Sequence, residues 1–385
     1  MRIGVITLYN GNNNYGGMAQ AYALQRYIEK LGHDCEVIDY RRTTKTIFGA
    51  PIVKRIFLTK VKDKLVWLVE NELTKRNKDS IQKRNSAMRN FREIYVPHTK
   101  EYTDETIEEC VDSFDVFISG SDQIWKPQVI REPFVLGFVP DCKPKLSYAS
   151  SISQVDLSEA YGEFMKEHLQ TYYSISVREK EAQIYLQNLL GREVEWVTDP
   201  VLLLDREDWD CIASDRKYKE KYIFCYILGD SISVRREAKK YAKYKNQKLI
   251  TMPYLKGRWR AADQGFGDVQ LFDAGVEDFL SLIKYADCVI TDSFHAAVFS
   301  YIFQRDFFVF PRVDKGSNEN MNSRISSFLG LIGEQGRYVL DGFDYDTESI
   351  VYEGKESSAL EKKREYSRCR LSIVLDSLKK TKEER

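Results

Sequence analysis

The chain has 385 residues, too many for one hydrophobic core, and its 43% hydrophobic and 30% charged residues are ordinary for a soluble two-domain protein. Lys plus Arg and Asp plus Glu number 58 each, which excludes an overall basic field for nucleic acid. No apolar run approaches the ~20 residues that span a bilayer, Met1-Arg-Ile-Gly-Val-Ile lacks a signal-peptide layout, and seven cysteines without a CxxC pair argue against zinc or a disulfide frame. The expectation is a cytoplasmic protein with reduced thiols.

Ile3 to Leu8 reads as a buried strand that breaks into the glycine- and asparagine-rich loop Tyr9 to Gly17. Met18 to Leu31 has apolar residues at helical spacing, Gly32 is a fitting C-cap, and Cys35 to Tyr40 is the next strand. This is a βαβ unit whose loop faces a helix N-terminus, suited to a phosphate or a sugar, although it is neither GxGxxG nor a Walker loop. Residues 41–95 are dense in Lys and Arg with apolar residues at helical spacing (Ile56, Phe57, Leu58, Val61, Leu65 to Val69, Leu73), predicting a basic helical insertion. A solvated arm and a membrane-surface face are both open readings of it.

Strands follow at Asp115 to Ser119, Leu146 to Ala149 and Ser174 to Val177, and Val197-Thr-Asp-Pro200 closes the first half. Each stops at a polar corner, and such endings build a cleft along one sheet edge. The second half alternates strand Tyr222 to Leu228, helix Val234 to Tyr244, strand Gln247 to Met252 and helix Val276 to Tyr285. Strand Ala286 to Thr291 then ends on Asp292-Ser293-Phe294-His295, before an apolar helix from Ala296 to Phe303. A histidine at a strand's carboxyl end can exchange a proton near neutral pH or merely cap its helix. Strand Phe307 to Phe310 ends at Arg312, a helix from Asn322 carries Arg324 in its first turn, and the last ~30 residues form one amphipathic helix. His33 and His98 read as surface residues.

The expected fold is α/β: two doubly wound Rossmann-like domains in a glycosyltransferase-B-like arrangement, with a helical insertion and a C-terminal helix. The expected boundaries are 1–205 with the insertion at about 41–95, 206–340, and a tail over 341–385 packing back on the first domain.

The blocks Asn14-Tyr-Gly-Gly-Met-Ala-Gln20, Gly120-Ser-Asp-Gln-Ile-Trp125, Ser147-Tyr-Ala-Ser-Ser151, Ser176-Val-Arg-Glu-Lys180, Thr198-Asp-Pro200 and Thr291-Asp-Ser-Phe-His295 occur in this order. Together they resemble the polysaccharide pyruvyl transferase family of bacterial capsule and exopolysaccharide synthesis, over roughly residues 1–330. The resemblance implies transfer of pyruvate from phosphoenolpyruvate to a sugar as a ketal, with no cofactor beyond that co-substrate and no metal. It implies donor binding by Arg178 and acid/base chemistry by His295. Some members carry Arg-Leu-His where this chain has Ser293-Phe294-His295, so Arg324 or Arg312 is the expected substitute cation. Asp292 is expected to orient His295, or Asp122 to act as base from the opposite domain; an N-cap or Asx turn is the competing reading of Asp122. Asn14, Tyr15, Gly16, Gly17 and Gln20, with Ser121, Gln123 and Trp125, are expected to face the acceptor or a phosphate; tight helix–sheet packing is the competing reading of the loop, and a place in the core or a lid that of Trp125.

The implied partners are phosphoenolpyruvate and a galactose-type acceptor of a repeat unit on undecaprenyl diphosphate, with peripheral membrane contact at the inner face and no nucleic acid. Two other classes compete: a nucleotide-sugar glycosyltransferase, for which Glu348 and Glu356 have the E-x7-E spacing but lie in the charged tail, and a non-catalytic capsule scaffold.

Overall fold

A computed structural model describes residues 1–11, 13–43, 45–48, 57–154, 156–253, 259–312, 321–340, 342–353 and 358–384, with the side chains of 57–63 and 321–323 outside that set. In the first half β1 (Arg2–Ile6), α1 (Tyr15–Lys30) and β2 (Asp34–Val37) precede two long helices, α2 (Phe57–Arg76) and α3 (Lys78–Tyr95). Then come β3 (Val116–Ser119), β4 (Lys145–Ser147), α4 (Glu159–Leu169), β5 (Ser176–Val177), α5 (Lys180–Leu190) and β6 (Glu195–Trp196). The second half runs α6 (Arg206–Asp210), β7 (Tyr222–Tyr226), α7 (Ile232–Tyr244), β8 (Lys248–Thr251), β9 (Val269–Gln270), α8 (Val276–Lys284), β10 (Cys288–Thr291), α9 (Phe294–Ile302), β11 (Asp306–Val309) and α10 (Met321–Ile332). The chain ends in α11 (Ala359–Glu383).

Both sheets are parallel. The first has the order β2-β1-β3-β4, and parallel bridges Leu146↔Ser174 and Ser150↔Val177 carry it on to the β5-β6 pair. The second has the order β11-β10-β7-β8-β9. Strand order therefore reverses between β1 and β3 in one sheet and between β7 and β10 in the other, where open α/β sheets receive ligands. Central strands buried on both faces read as apolar runs. Ile3, Val5 and Ile6 are fully buried, and a Cβ on Gly4 would meet the Phe114 ring at 2.9 Å.

The predicted elements recur with shorter strands and earlier helix starts. Helix α1 begins at Tyr15 and α9 at Phe294, because Asn14 and Ser293 supply the N-cap side chains. Gly32 sits at φ +81°, the left-handed conformation a helix C-terminus favours. Of the apolar positions predicted for the insertion, Leu73 packs with Ile81 and Trp259, whereas Ile56, Phe57, Leu58 and Val61 lie outside the described side chains. The reading of His33 as a surface residue is corrected. It is buried beneath α1, and burial, reinforced by the nearby amino terminus, lowers its pKa.

Helix α11 returns to the first sheet. Leu371, Leu375 and Leu378 pack with Ile3, Val5, Ile118 and Leu146. It also holds the segment after β6: Thr198 N donates to Ser367 Oγ at 3.0 Å, Arg364 donates to the Leu202 and Leu204 carbonyls, and Arg368 to that of Leu203. Cys35, Cys110, Cys225 and Cys288 are buried thiols, and no described helix is long and apolar enough to cross a membrane.

Candidate active site

The two switch points face each other. In the second sheet, Asp292 leaves β10 and accepts from the backbone N–H groups of Leu228 and Gly229, both at 2.7 Å. These bonds tie the end of β10 to the end of β7. The expectation that Asp292 orients His295 is corrected: Asp292 makes no hydrogen bond or ion pair with His295 among the described residues, and the carboxylate beside that ring is Asp199. Ser293 caps α9 by accepting from Ala296 N, which places His295 in the first turn of an apolar helix. Across the cleft, Asn14 Oδ1 accepts from Gly16 N (3.0 Å) and Gly17 N (3.4 Å) at the start of α1. The two helix N-termini meet so closely that a Cβ on Gly16 would lie 2.1 Å from His295 Nδ1. Both ends favour negative charge between them.

Arg178, at the end of β5, is the centre of the charge arrangement. Its side chain is 3% exposed and donates through Nη1 to Asp199 Oδ2. Glu179 Oε1 stands 3.6 Å from its Nε and Asp122 Oδ1 3.9 Å from its Nη2. Burial alone would lower the Arg178 pKa, but Asp199, Glu179 and Asp122 outweigh burial and raise it. Asp199 also stands 3.5 Å from His295 Nε2. Burial opposes ionisation of Asp199, yet His295 and Arg178 hold its carboxyl well below the usual range. Asp199 is therefore the carboxylate that links Arg178 to His295, a place that Thr198-Asp-Pro200 left unassigned in the sequence.

Arg324 enters from the first turn of α10, its Nε 4.0 Å from Glu179 Oε1. Burial and the neighbouring Arg178 push its pKa down to about 10. Both guanidinium groups lie over the Phe294 ring, 5.4 Å from its centroid for Arg178 and 5.9 Å for Arg324. Arg312 donates through Nη2 to the Asp292 carbonyl at 2.9 Å. Several buried nitrogens make no hydrogen bond among the described residues: Arg178 Nε and Nη2, Arg324 Nε, Arg312 Nε and His295 Nε2. Each stands 3.5–4.0 Å from a carboxylate oxygen of Glu179, Asp122, Asp292 or Asp199, ion-paired without a hydrogen bond, and so keeps donor capacity that an anion could take up. A small cavity of about 40 Å³ adjoins them, lined by Arg178, Trp196, Asp199, Phe294, Arg324 and Lys363. Burial, with a contribution from Lys180, pushes Lys363 down to about 8.

Other expected site residues serve the scaffold. Tyr15 is fully buried, stacks on Phe279 and donates to the Ala274 carbonyl, which makes it a pin between the halves. Gln20 donates to Thr7 Oγ1 and the Gly17 carbonyl, and Ser121 to the Ala149 carbonyl. Trp125 is buried with its Nε1 shared between Ser119 Oγ and the Phe134 carbonyl, so it stacks on no acceptor. Gln123 bonds Ser153 Oγ at 3.1 Å. Asp122 makes no side-chain cap; its φ of +68° is held by the turn after β3 and aims its carboxylate toward Arg178. Glu348 is exposed after β11 and Glu356 lies outside the described residues, so the E-x7-E spacing marks no site among the described residues. No group of three or more metal-ligating side chains is found among the described residues.

The architecture is shared with solved UDP-GlcNAc 2-epimerases of the glycosyltransferase-B type. The enzyme from Neisseria meningitidis, bound to UDP-GlcNAc, matches with a TM-score of 0.51 and 10% identity over 98% of this chain and 100% of that one. That from Methanocaldococcus jannaschii matches with a TM-score of 0.51 and 10% identity over 90% of each chain. At such identities the likeness is one of fold. No curated protein sequence matches. The polysaccharide pyruvyl transferase family model matches residues 14–314, which takes in the N-termini of α1 and α9, Arg178, Asp199 and His295. That match covers most of the chain and includes Arg178, Asp199 and His295, so the chain belongs to the polysaccharide pyruvyl transferase family.

Proposed function

We propose that the cleft binds phosphoenolpyruvate and transfers its three-carbon unit to two hydroxyls of one sugar, forming a pyruvate ketal and releasing phosphate. The observation that carries this reading is the convergence of buried nitrogens of Arg178, Arg324, Arg312 and His295, none hydrogen-bonded among the described residues, near two helix N-termini. A carboxylate and a phosphate on one small molecule meet that demand. Arg324, reaching the same Phe294 ring as Arg178, supplies the charge that Ser293 does not.

In the reaction, a first sugar hydroxyl adds to C2 of the enol while C3 takes a proton and becomes a methyl group. The C2–O bond to phosphate then breaks, leaving an oxocarbenium centre stabilised by the adjacent sugar oxygen. The second hydroxyl attacks that centre and gives up its proton, closing the ketal. His295 is the acid/base, a role typically worth ~10²–10⁴-fold in rate. Asp199 holds its imidazole, and Asp122 faces the site from the opposite sheet as the second base. The family supports a polysaccharide acceptor. The specific acceptor we assign is a galactose-type residue of a capsule or exopolysaccharide repeat unit carried on undecaprenyl diphosphate, reached from the cytoplasm.

The test is phosphate release from phosphoenolpyruvate with and without lipid-linked or synthetic β-galactoside acceptors. Acceptor-dependent release, lost in His295→Ala and Arg178→Ala, is expected. Binding of a uridine or cytidine nucleotide sugar without binding of phosphoenolpyruvate would replace this reading by glycosyl transfer.

A further inference from the structure

We propose that the turn Leu65–Val69 of α2 is a membrane-docking element that enters the headgroup region of an anionic phospholipid surface. Leu65, Val66, Trp67, Leu68 and Val69 are 60, 40, 49, 48 and 53% exposed. Five consecutive residues exceed one helical turn of 3.6, so apolar side chains project all round the helix. Other exposed large apolar residues among those described stand singly along the chain. Isolated ones are ordinary, whereas a contiguous apolar turn marks a surface that something covers.

One turn later the same helix is seated. Glu70 accepts from Ala261 N at 3.2 Å, Thr74 Oγ1 from Trp259 N at 2.7 Å, and Leu73 packs with Ile81 and Trp259. The apolar turn thus projects from a helix that is fixed at its other end. Charge selects the occupant. Residues 41–64, which lead up to it, carry eight basic residues (the last is Lys64) against one acidic residue, Asp63. An anionic leaflet complements that balance, and a tryptophan one turn after Lys64 suits the interface between headgroups and acyl chains. A second copy of the chain docked symmetrically would set like charge on like charge.

The element is coupled to the cleft. Helix α3 follows α2 directly, and its buried Arg84 donates to Tyr15 Oη (2.8 Å) and to the Asn13 carbonyl (2.6 Å), beside the Gly16 that touches His295. Docking through α2 would therefore fix the orientation of the cleft relative to the bilayer. The inference stands on the exposed turn and its charge, independently of the chemistry proposed for the cleft.

The experiment is flotation of the full-length protein with vesicles of phosphatidylcholine containing about 30% phosphatidylglycerol, and with phosphatidylcholine alone, at low and high salt. The wild type is expected to float with the anionic vesicles and to be released by salt. The Trp67→Ser/Leu68→Ser variant is expected to bind roughly tenfold or more weakly while keeping its melting temperature and its phosphate release with a soluble acceptor. A blue shift on vesicle binding that is missing in Trp67→Phe would place that indole in the interface. Equal binding by the double variant, or no binding by the wild type, overturns the proposal. Self-association without vesicles that the double variant abolishes also overturns it, by making the turn a contact between copies.

Discussion

Replacing Asp199 by asparagine removes a buried charge while keeping size and the hydrogen bond from Val201 N to Oδ1. Removing one partner of a buried ion pair costs about 3–5 kcal/mol when the other charge is left uncompensated. Arg178 is not left wholly alone, because Glu179 and Asp122 remain within 3.6 and 3.9 Å. The expected loss at pH 7 is therefore nearer ~2–3 kcal/mol. Its pH dependence has a definite sign. The folded state holds this carboxyl below its ordinary range, so the wild type has the full contribution at every pH above about 4 and loses it as the pH falls further. Asparagine lacks it throughout, so the gap between the two proteins is expected to narrow on acidification. His295 loses its carboxylate partner as well, for which a fall of ~10²–10⁴ in kcat is expected. Urea unfolding at pH 7 and at ~pH 2–3, with phosphate release at pH 7, measures all three. A variant within about 0.5 kcal/mol of wild type and fully active would refute the view that Asp199 joins the donor and acid/base groups.

Further outcomes are expected elsewhere in the cleft. Gly16→Ala places a methyl group 2.1 Å from His295 Nδ1, so the imidazole must move and phosphate release should fall at least ~10²-fold in steady-state assays, with α1 itself intact by circular dichroism. Arg324→Met should raise the KM for phosphoenolpyruvate more than it lowers kcat, and Arg324→Lys should recover only part of the loss, since a lysine lacks the planar fork that lies against Phe294. Asp292→Ala strands the Leu228 and Gly229 N–H groups and should cost ~1–3 kcal/mol by thermal or chemical unfolding.

The parts of this molecule that were legible in the sequence are those set by short-range patterns. Apolar runs ending at polar corners marked the strands around the cleft, because a parallel strand covered on both faces must be apolar along its length. Arg178 and His295 stood out for the same reason, as polar chemistry at strand ends. What could not be read was which carboxylate serves which cation. Asp292 follows β10 three residues before His295, yet its partners are backbone groups 63 and 64 positions away. Asp199 lies 96 positions before His295, and only the meeting of two sheets brings them together. Tyr15 and Trp125 misled in a related way. Aromatic residues beside glycine loops suit sugars and cores alike; here Tyr15 is buried with a partner 259 positions on, at Ala274, and Trp125 with one only nine positions on, at Phe134. Two short helices, α4 and α5, escaped notice because each buries only a few residues of a polar segment.

The return of α11 has a consequence for how the protein is made. Leu371, Leu375 and Leu378 complete the core against Ile3, Val5 and Ile118, more than 350 residues earlier in the case of the first strand. Domains emerging from the ribosome generally fold in order, amino terminus first. On that order the first sheet keeps an apolar face open until α11 has been synthesised, while the second sheet, made in between, already has β7 to β11 in hand. The vulnerable interval in biogenesis thus falls on the earliest part of the chain, and the last few turns of helix bring it to an end.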